Sequence, residues 1–313
     1  MAQEPAQMPA DMLQRMMAMM STPPSDVPGL RKMLDQFAEL LNAGGPEIGA
    51  LHENVLVREV DGARVTADVF VPKGKGPHPV LVYLHGGGWV AGSPRTHRKL
   101  TARFAEAGYL VTSIDYRLAP EAAFPKGFED CVHAVRWAAE NAARWGGDAR
   151  RIAIGGDSAG GNLSAAVSAH LASDSSAPRL RAALLIYGAF DFEAMRTMET
   201  AQPGTDPAVA AALRDSMIYG YLGQNPPLSR LRDPRVSPVH AAAQLPPSYL
   251  VCGDADPLVE HQKALSAGMK RAGVEHENVI VPGMPHGFAQ MEFLPQALEQ
   301  VRGMVAFLDK RLR

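Results

Sequence analysis

Two spacings of apolar residues alternate along the chain. Near the N-terminus Met12, Leu13, Met16, Met17 and Met20 recur at helical spacing. Leu30, Met33, Leu34, Phe37, Leu40 and Leu41 repeat it until Gly44-Gly45-Pro46 stops the pattern. From about residue 54 the spacing drops to two. "NVLVREV" and "ARVTADVFVP", joined by Asp61-Gly62, read as a hairpin. Short apolar runs follow: "PVLVYLHG", "YLVTSIDYR", "RIAIGG", "RAALLIYGA", "PSYLVCGD" and "NVIVPG". Helical patterns at about 97–107, 127–145, 160–172, 257–273 and 291–311 alternate with most of them. Such alternation predicts an α/β fold, a mostly parallel eight-stranded sheet covered by helices on both faces. Residues 191–226 break the rhythm. They hold one helical pattern, "DPAVAAALRDSMIYGYLG", and read as an insertion between two strands.

Composition narrows the class. The 313 residues exceed the roughly 250–300 at which one core stops growing, so a large domain with an appended lid fits, as do two modest domains. The 46% hydrophobic and 20% charged content is that of a soluble globular protein. A net charge of −2 offers no basic face for nucleic acid and points to small molecules or a second copy as partners. Two cysteines make neither a disulfide framework nor a metal cluster; Cys131 and Cys252 read as small buried hydrophobes. Glu4 and Asp11 stand where a signal peptide would be basic, and no run reaches the ~18 apolar residues of a membrane span. A cytoplasmic protein with no membrane partner is expected.

The chemistry gathers in turns that follow strands. In "RIAIGGDSAGGNLSAAVSAHLA", Arg151 to Ala172, an apolar strand meets Gly156-Asp157-Ser158-Ala159-Gly160 and then a helix of small residues. This is G-x-S-x-G at a strand-to-helix turn, which exposes the Ser158 hydroxyl as a nucleophile. A serine hydroxyl needs a base that is itself oriented by a third group. Among ten histidines, His286 follows the last strand pattern in "MPHGF", at the end where a parallel sheet gathers its sites. His133 and His170 lie in helical patterns, and His97 and His261 near helix starts, where they read as caps. The turn after "PSYLVCG" offers Asp254 and Asp256 as the orienting acid, and position alone does not choose between them. "VLVYLHGGGWVAG", Val80 to Gly92, supplies glycines whose successive N–H groups can face one point and stabilise the anion formed when serine attacks a carbonyl. Ala159 adds an N–H at a helix start, whose dipole favours negative charge. Trp89 follows the glycines directly and is expected to line the site near the scissile carbonyl. The glycine spacing and lysine of nucleotide-binding loops are missing.

"HGGGW" at 85–89, "DYRLAPE" at 115–121, "GDSAGG" at 156–161, "DPL" at 256–258 and "HGF" at 286–288 resemble the hormone-sensitive-lipase-like (family IV) bacterial esterases. So do "FPKGFED" and "DPRVSPV", and the likeness runs from about residue 54 to the end. The resemblance implies an α/β-hydrolase fold with a helical cap, residues 1–50 and 191–226 forming the cap and 51–313 otherwise the catalytic domain. It implies Ser158 as nucleophile, Asp256 as acid, His286 as base, and Gly87, Gly88 and Ala159 as oxyanion donors. His85 is implied to anchor the glycine loop rather than join the triad. Glu260-His261 departs from the acidic pair that often follows "DPL", which leaves the surroundings of Asp256 open. Met217, Tyr219 and Tyr221, with the N-terminal methionines, are candidate walls for the substrate. The implied reaction is hydrolysis of short to medium acyl esters through an acyl-enzyme, with no metal or organic cofactor. Members often form homodimers. The alternatives are a binding receptor of the same fold, which would lack the catalytic histidine present here, and a peptidase or amidase of that fold.

Overall fold

In the computed structural model, which describes residues 24–198 and 206–313, eight strands form one sheet. They are β1 (Ala50–Val60), β2 (Ala63–Val71), β3 (His78–Leu84), β4 (Leu110–Asp115), β5 (Gly147–Asp157), β6 (Ala183–Ile186), β7 (Ser248–Gly253) and β8 (His276–Val281). Their spatial order is β1-β2-β4-β3-β5-β6-β7-β8. The β1–β2 and β2–β4 pairs are antiparallel and the other five pairs parallel. The β1–β2 hairpin closes where expected. Asp61 and Gly62 take φ of 51° and 73°, the left-handed pair a two-residue turn demands.

Side-chain alternation along β3 feeds two cores. Val80, Val82 and Leu84 join one cluster with Phe128 and Val135 of α3 (Lys126–Asn141), Leu163 of α4 (Ala159–Ala172) and Leu265 of α8 (Val259–Arg271). Leu81 and Tyr83 join the other, with Leu100 and Phe104 of α2 (Arg98–Glu106) and Met304 and Phe307 of α9 (Pro295–Leu312). Both faces of the sheet are therefore dry, which is why its strands read as nearly continuous apolar runs. Cys131 and Cys252 are buried and free.

Four further helices lie outside the sheet layers. In α1 (Val27–Leu41), Asp26 caps the N-terminus by accepting the Gly29 N–H at 2.8 Å. The insertion after β6 holds α6 (Pro207–Leu222), capped by Asp206, and also a short α5 (Phe192–Thr197) that the sequence pattern did not predict. A one-turn α7 (Leu228–Leu231) follows. The apolar stripe from Met12 to Met20 lies outside the described residues. No helix among the described residues is long and apolar enough to cross a membrane.

Candidate active site

Five loops leave the carboxyl ends of β3, β5, β6, β7 and β8 on one side of the sheet. Strand register makes them level. Leu84 lies opposite Gly156, Asp157 opposite Ile186, Ile186 opposite Val251 and Gly253 opposite Val281. Between β4 and β5 the chain changes direction across β3, the place where open α/β sheets form a crevice.

Ser158 stands at φ 54°, ψ −118°, a strained conformation for a residue with a side chain. The turn is so tight that a Cβ on Gly160 would collide with the Leu84 carbonyl oxygen. The Ser158 Oγ lies 2.9 Å from His286 Nε2, and His286 Nδ1 lies 2.8 Å from Asp256 Oδ2. Asp256 is buried, and its other oxygen accepts the Leu258 N–H at 2.8 Å. Asp254 points elsewhere and accepts the Gly283 N–H at 2.6 Å. The departure at Glu260-His261 leaves this chain of contacts intact. Glu260 pairs with Lys263 at 2.7 Å on the surface, and buried His261 accepts the Asp191 N–H at 3.2 Å. Burial opposes charge on His286, but the adjacent Asp256 outweighs it and raises the imidazole above its ordinary range. Tyr187, held at φ 37°, sets its ring against His286 with centroids 4.9 Å apart. A hydroxyl bonded to an imidazole that a carboxylate holds is the arrangement that lets serine attack an acyl carbon.

The glycine loop sits beside this chain. Gly87 has φ 128°, open to glycine alone, and its carbonyl accepts the Ala91 N–H at 2.9 Å. The N–H groups of Gly87, Gly88 and Ala159 donate to no described residue. Gly86 differs: its N–H donates to Asp157 Oδ1 at 3.1 Å. The three successive glycine amides thus do not converge as the sequence suggested, because the first is used to hold the loop. His85 packs beneath the loop with Nδ1 2.9 Å from the Gly86 carbonyl oxygen, and its ring stacks on Tyr116 at 4.3 Å. Burial pushes its pKa down to about 3, so it stays neutral.

Asp157, inside the serine motif, is a buried carboxylate that sequence reasoning passed over. It takes the Tyr83 hydroxyl at 2.8 Å and faces His97 Nε2 at 3.1 Å. Burial works against its charge, yet the histidine and the Tyr83 hydrogen bond hold its carboxyl below the ordinary range. His97 occupies the N-cap position of α2 but makes no side-chain cap bond, and His261 lies within α8 rather than before it. The cap expectation for both therefore fails: each imidazole turns inward to a partner from another segment.

Above these groups lies a cavity of about 390 Å³, within the roughly 300–1,000 Å³ of small-molecule sites. Met33, Leu34 and Phe37 of α1 and Leu213 and Met217 of α6 line it, with Met195 and Met291. The Met217 thioether lies against Gly88. Tyr219 does not line the cavity. It sits two residues on, about 200° around the helix, and packs toward the core instead. Tyr221 likewise stacks on Trp89, with ring centroids 5.1 Å apart. Trp89 borders the cavity, but its indole is a core ring, 2% exposed, packed on Phe192 and donating to Asn162 Oδ1 at 3.2 Å. Met12, Met16, Met17 and Met20 fall outside the described residues. Two family-like stretches turn out to be scaffold: Arg117 of "DYRLAPE" donates to buried Asp130 of "FPKGFED" at 2.8 Å. No group of three or more His, Cys, Asp or Glu among the described residues could hold a metal ion.

Residues 81–290 match the model of an alpha/beta hydrolase fold family. The chain is 37% identical over 234 residues to carboxylesterase NlhH of Mycobacterium tuberculosis, a match spanning 72% of this chain and 71% of that protein. It is 35% identical over 241 residues to ethyl acetate hydrolase of Pseudomonas putida, spanning 74% and 73%. Among solved structures it is similar to a hyperthermophilic esterase from the archaeon Pyrobaculum calidifontis, with a TM-score of 0.83, 30% identity and 96% of each chain covered. With its motif set, fold and relatives in agreement, the chain belongs to the hormone-sensitive-lipase-like esterases of the α/β-hydrolase superfamily.

Proposed function

We propose that Ser158, His286 and Asp256 carry out carboxylic ester hydrolysis, the reaction of a serine carboxylesterase. The observation behind the residue roles is the 2.9 Å and 2.8 Å chain from Ser158 Oγ through His286 to Asp256 at the floor of the cavity. His286 Nε2 takes the Ser158 proton as Oγ bonds to the ester carbonyl carbon. The carbonyl oxygen becomes an anion facing the N–H groups of Gly87, Gly88 and Ala159, donors worth about 10²–10³ each in rate. The C–O bond to the alcohol then breaks, and the alcohol leaves with the proton from His286. Water repeats the cycle on the acyl-enzyme and frees the acid. Asp256 keeps His286 in the tautomer that presents a lone pair to Ser158 and stabilises the imidazolium that forms.

The apolar walls support short to medium acyl chains, on the order of four to eight carbons, each buried methylene gaining about 0.8 kcal/mol until the pocket ends. The name of the Pseudomonas putida relative points to a small ester as well. Residues 1–50 and 191–226 are read as a two-part cap over the catalytic domain of 51–313, since α1 and α6 touch each other and share the cavity wall. A cytoplasmic protein free of membranes and able to pair as a homodimer completes the reading. The test is rapid mixing with nitrophenyl esters from acetate to palmitate. A burst of nitrophenol matching the enzyme concentration, with efficiency peaking between four and eight carbons, is the expected result. Failure to trap an acyl group on Ser158 in quenched turnover removes the acyl-enzyme, and a maximum at twelve carbons or more removes the size assignment.

A further inference from the structure

One buried side chain outside the triad touches all three catalytic segments. His97 is 2% exposed and borders the cavity. Its Nε2 lies 3.1 Å from Asp157 Oδ2, beside Ser158 on the serine turn. The same nitrogen is 3.3 Å from the N–H of Gly86 in the glycine loop and 3.0 Å from the side-chain amide of Gln290, four residues past His286. On the far side of the ring, Nδ1 is 2.7 Å from Thr96 Oγ1, whose own proton goes to the Ser93 carbonyl. The Thr96 oxygen is therefore an acceptor, which places a proton on Nδ1. In either protonation state Nε2 has a partner: a lone pair meets the N–H groups of Gly86 and Gln290, and a proton meets Asp157. The ring is thus fixed from both ends.

We propose that His97 is a positioning residue for the esterase reaction, holding the serine turn, the glycine loop and the His286 loop at the spacing the oxyanion needs. This rests on the triad and oxyanion roles proposed above. Gly86 and Asp157 precede Gly87 and Ser158 by one residue each, so a shift in either moves an oxyanion donor or the attacking oxygen. A displacement of about 1 Å in such a site costs on the order of 10²-fold in rate. Most of the apolar cavity wall comes from other side chains, so substrate binding is affected little.

The test compares the purified full chain with His97→Ala, His97→Gln, Gln290→Ala and Leu100→Ala on nitrophenyl butyrate. Each is also titrated with a trifluoromethyl ketone, which adds to serine and leaves an oxyanion in place. His97→Ala should lower kcat by about 10²-fold with KM little changed, and weaken the ketone by a similar factor, as transition-state analogues follow transition-state stabilisation. His97→Gln, whose amide nitrogen reaches the place of Nε2, should recover most of the loss. Leu100→Ala, buried on the same helix but outside the network, should lower the thermal midpoint and keep parental kcat. Gln290→Ala should lose less kcat than His97→Ala and keep its thermal midpoint. Parental kcat and ketone affinity in His97→Ala, or a Gln variant no better than Ala, overturns the proposal. So does a Leu100→Ala loss equal to that of His97→Ala. If His97→Ala does not fold, Gln290→Ala decides, and parental kcat there overturns it. Full turnover by Ser158→Ala is a separate outcome that removes the triad reading instead.

Discussion

The floor of the cavity and its cover are held by different forces. The floor consists of loops at the carboxyl ends of five strands. Its polar groups are buried or half-buried and joined by hydrogen bonds of 2.8–3.1 Å: His286 to Asp256, Asp157 to Tyr83, Gly86 to Asp157. The cover consists of α1 and α6, whose methionine, leucine and phenylalanine side chains line the cavity and offer non-directional dispersion contacts. Its firm attachments lie at the margin. Arg31 of α1 donates to the Val90 and Ala119 carbonyls at 2.7 and 3.0 Å and forks onto Glu121. The Tyr221 carbonyl of α6 accepts the Phe124 N–H at 2.8 Å. Hydrogen bonds lose strength steeply with angle and distance, whereas dispersion contacts re-form after a shift. The floor should therefore fail abruptly when altered, in rate, and the cover gradually, in selectivity.

The largest break belongs to Ser158→Ala. Removing the serine of a comparable triad costs about 10⁶ in kcat. We expect a loss of that order on nitrophenyl butyrate with circular dichroism unchanged, and parental turnover in a folded variant would undo the assignment of the whole floor. Next comes the acid. Asp256→Asn leaves His286 in the wrong tautomer, which costs about 10⁴ in a serine protease. Asp254→Asn alters only the contact to Gly283, whose N–H an amide oxygen can still meet, and should leave most of the activity. The reverse ranking on one ester would show that the 2.8 Å contact to His286 is not the working one.

The same division explains what could be read from the sequence. Floor residues sit in short contiguous motifs at strand ends, because a turn from strand to helix needs glycines at fixed places. Ser158, His286 and the glycine loop are legible as candidates for that reason, and the eight strands for their apolar runs. The choice between Asp254 and Asp256 rests on a family motif, since a two-residue difference in a turn changes direction by an amount no spacing reveals. His97 reads only as a cap in the sequence: 60 residues separate it from Asp157, and only the fold brings them together. Asp157 did carry a signal, an acid at the end of an otherwise apolar strand. The cover was legible as helices but not as walls. Tyr219 and Met217 share a helix, and which of them faces the cavity depends on how α6 is rotated, which Trp89 and Phe124 set by packing on Tyr221.

Acidity offers a smaller test of the floor. His286 must be neutral to accept the Ser158 proton, so activity falls as pH drops through its pKa. Asp256 raises that pKa, and the acid limb of kcat/KM should therefore lie above the roughly 6.5 of a free imidazole. In the residual activity of Asp256→Asn the raising charge is gone, and the limb should move to lower pH. A limb that stays in place, or moves upward, would separate Asp256 from the titration of the base.

The smallest expected effect lies in the cover, at a place where it touches the floor. Met217 rests its thioether against Gly88, one of the amides assigned to the oxyanion. It therefore limits bulk close to the reacting carbonyl rather than far along the acyl chain. Met217→Ala removes a flexible wall whose loss neighbouring methionines can partly fill. Butyrate, unbranched beside its carbonyl, should lose efficiency modestly as its contacts with the sulfur and methylenes disappear. Isobutyrate, branched at the carbon next to the carbonyl, gains the vacated space, and one better-accommodated methyl is worth about 0.8 kcal/mol, or roughly fourfold. The ratio of kcat/KM for nitrophenyl isobutyrate to that for butyrate should thus rise several-fold while the pH profile stays fixed. An unchanged ratio would mean that Met217 is not a wall for the acyl carbon. A loss of kcat on both esters alike would mean that the methionine fixes the oxyanion loop, and the line between a directional floor and a compliant cover would then have to run above α6.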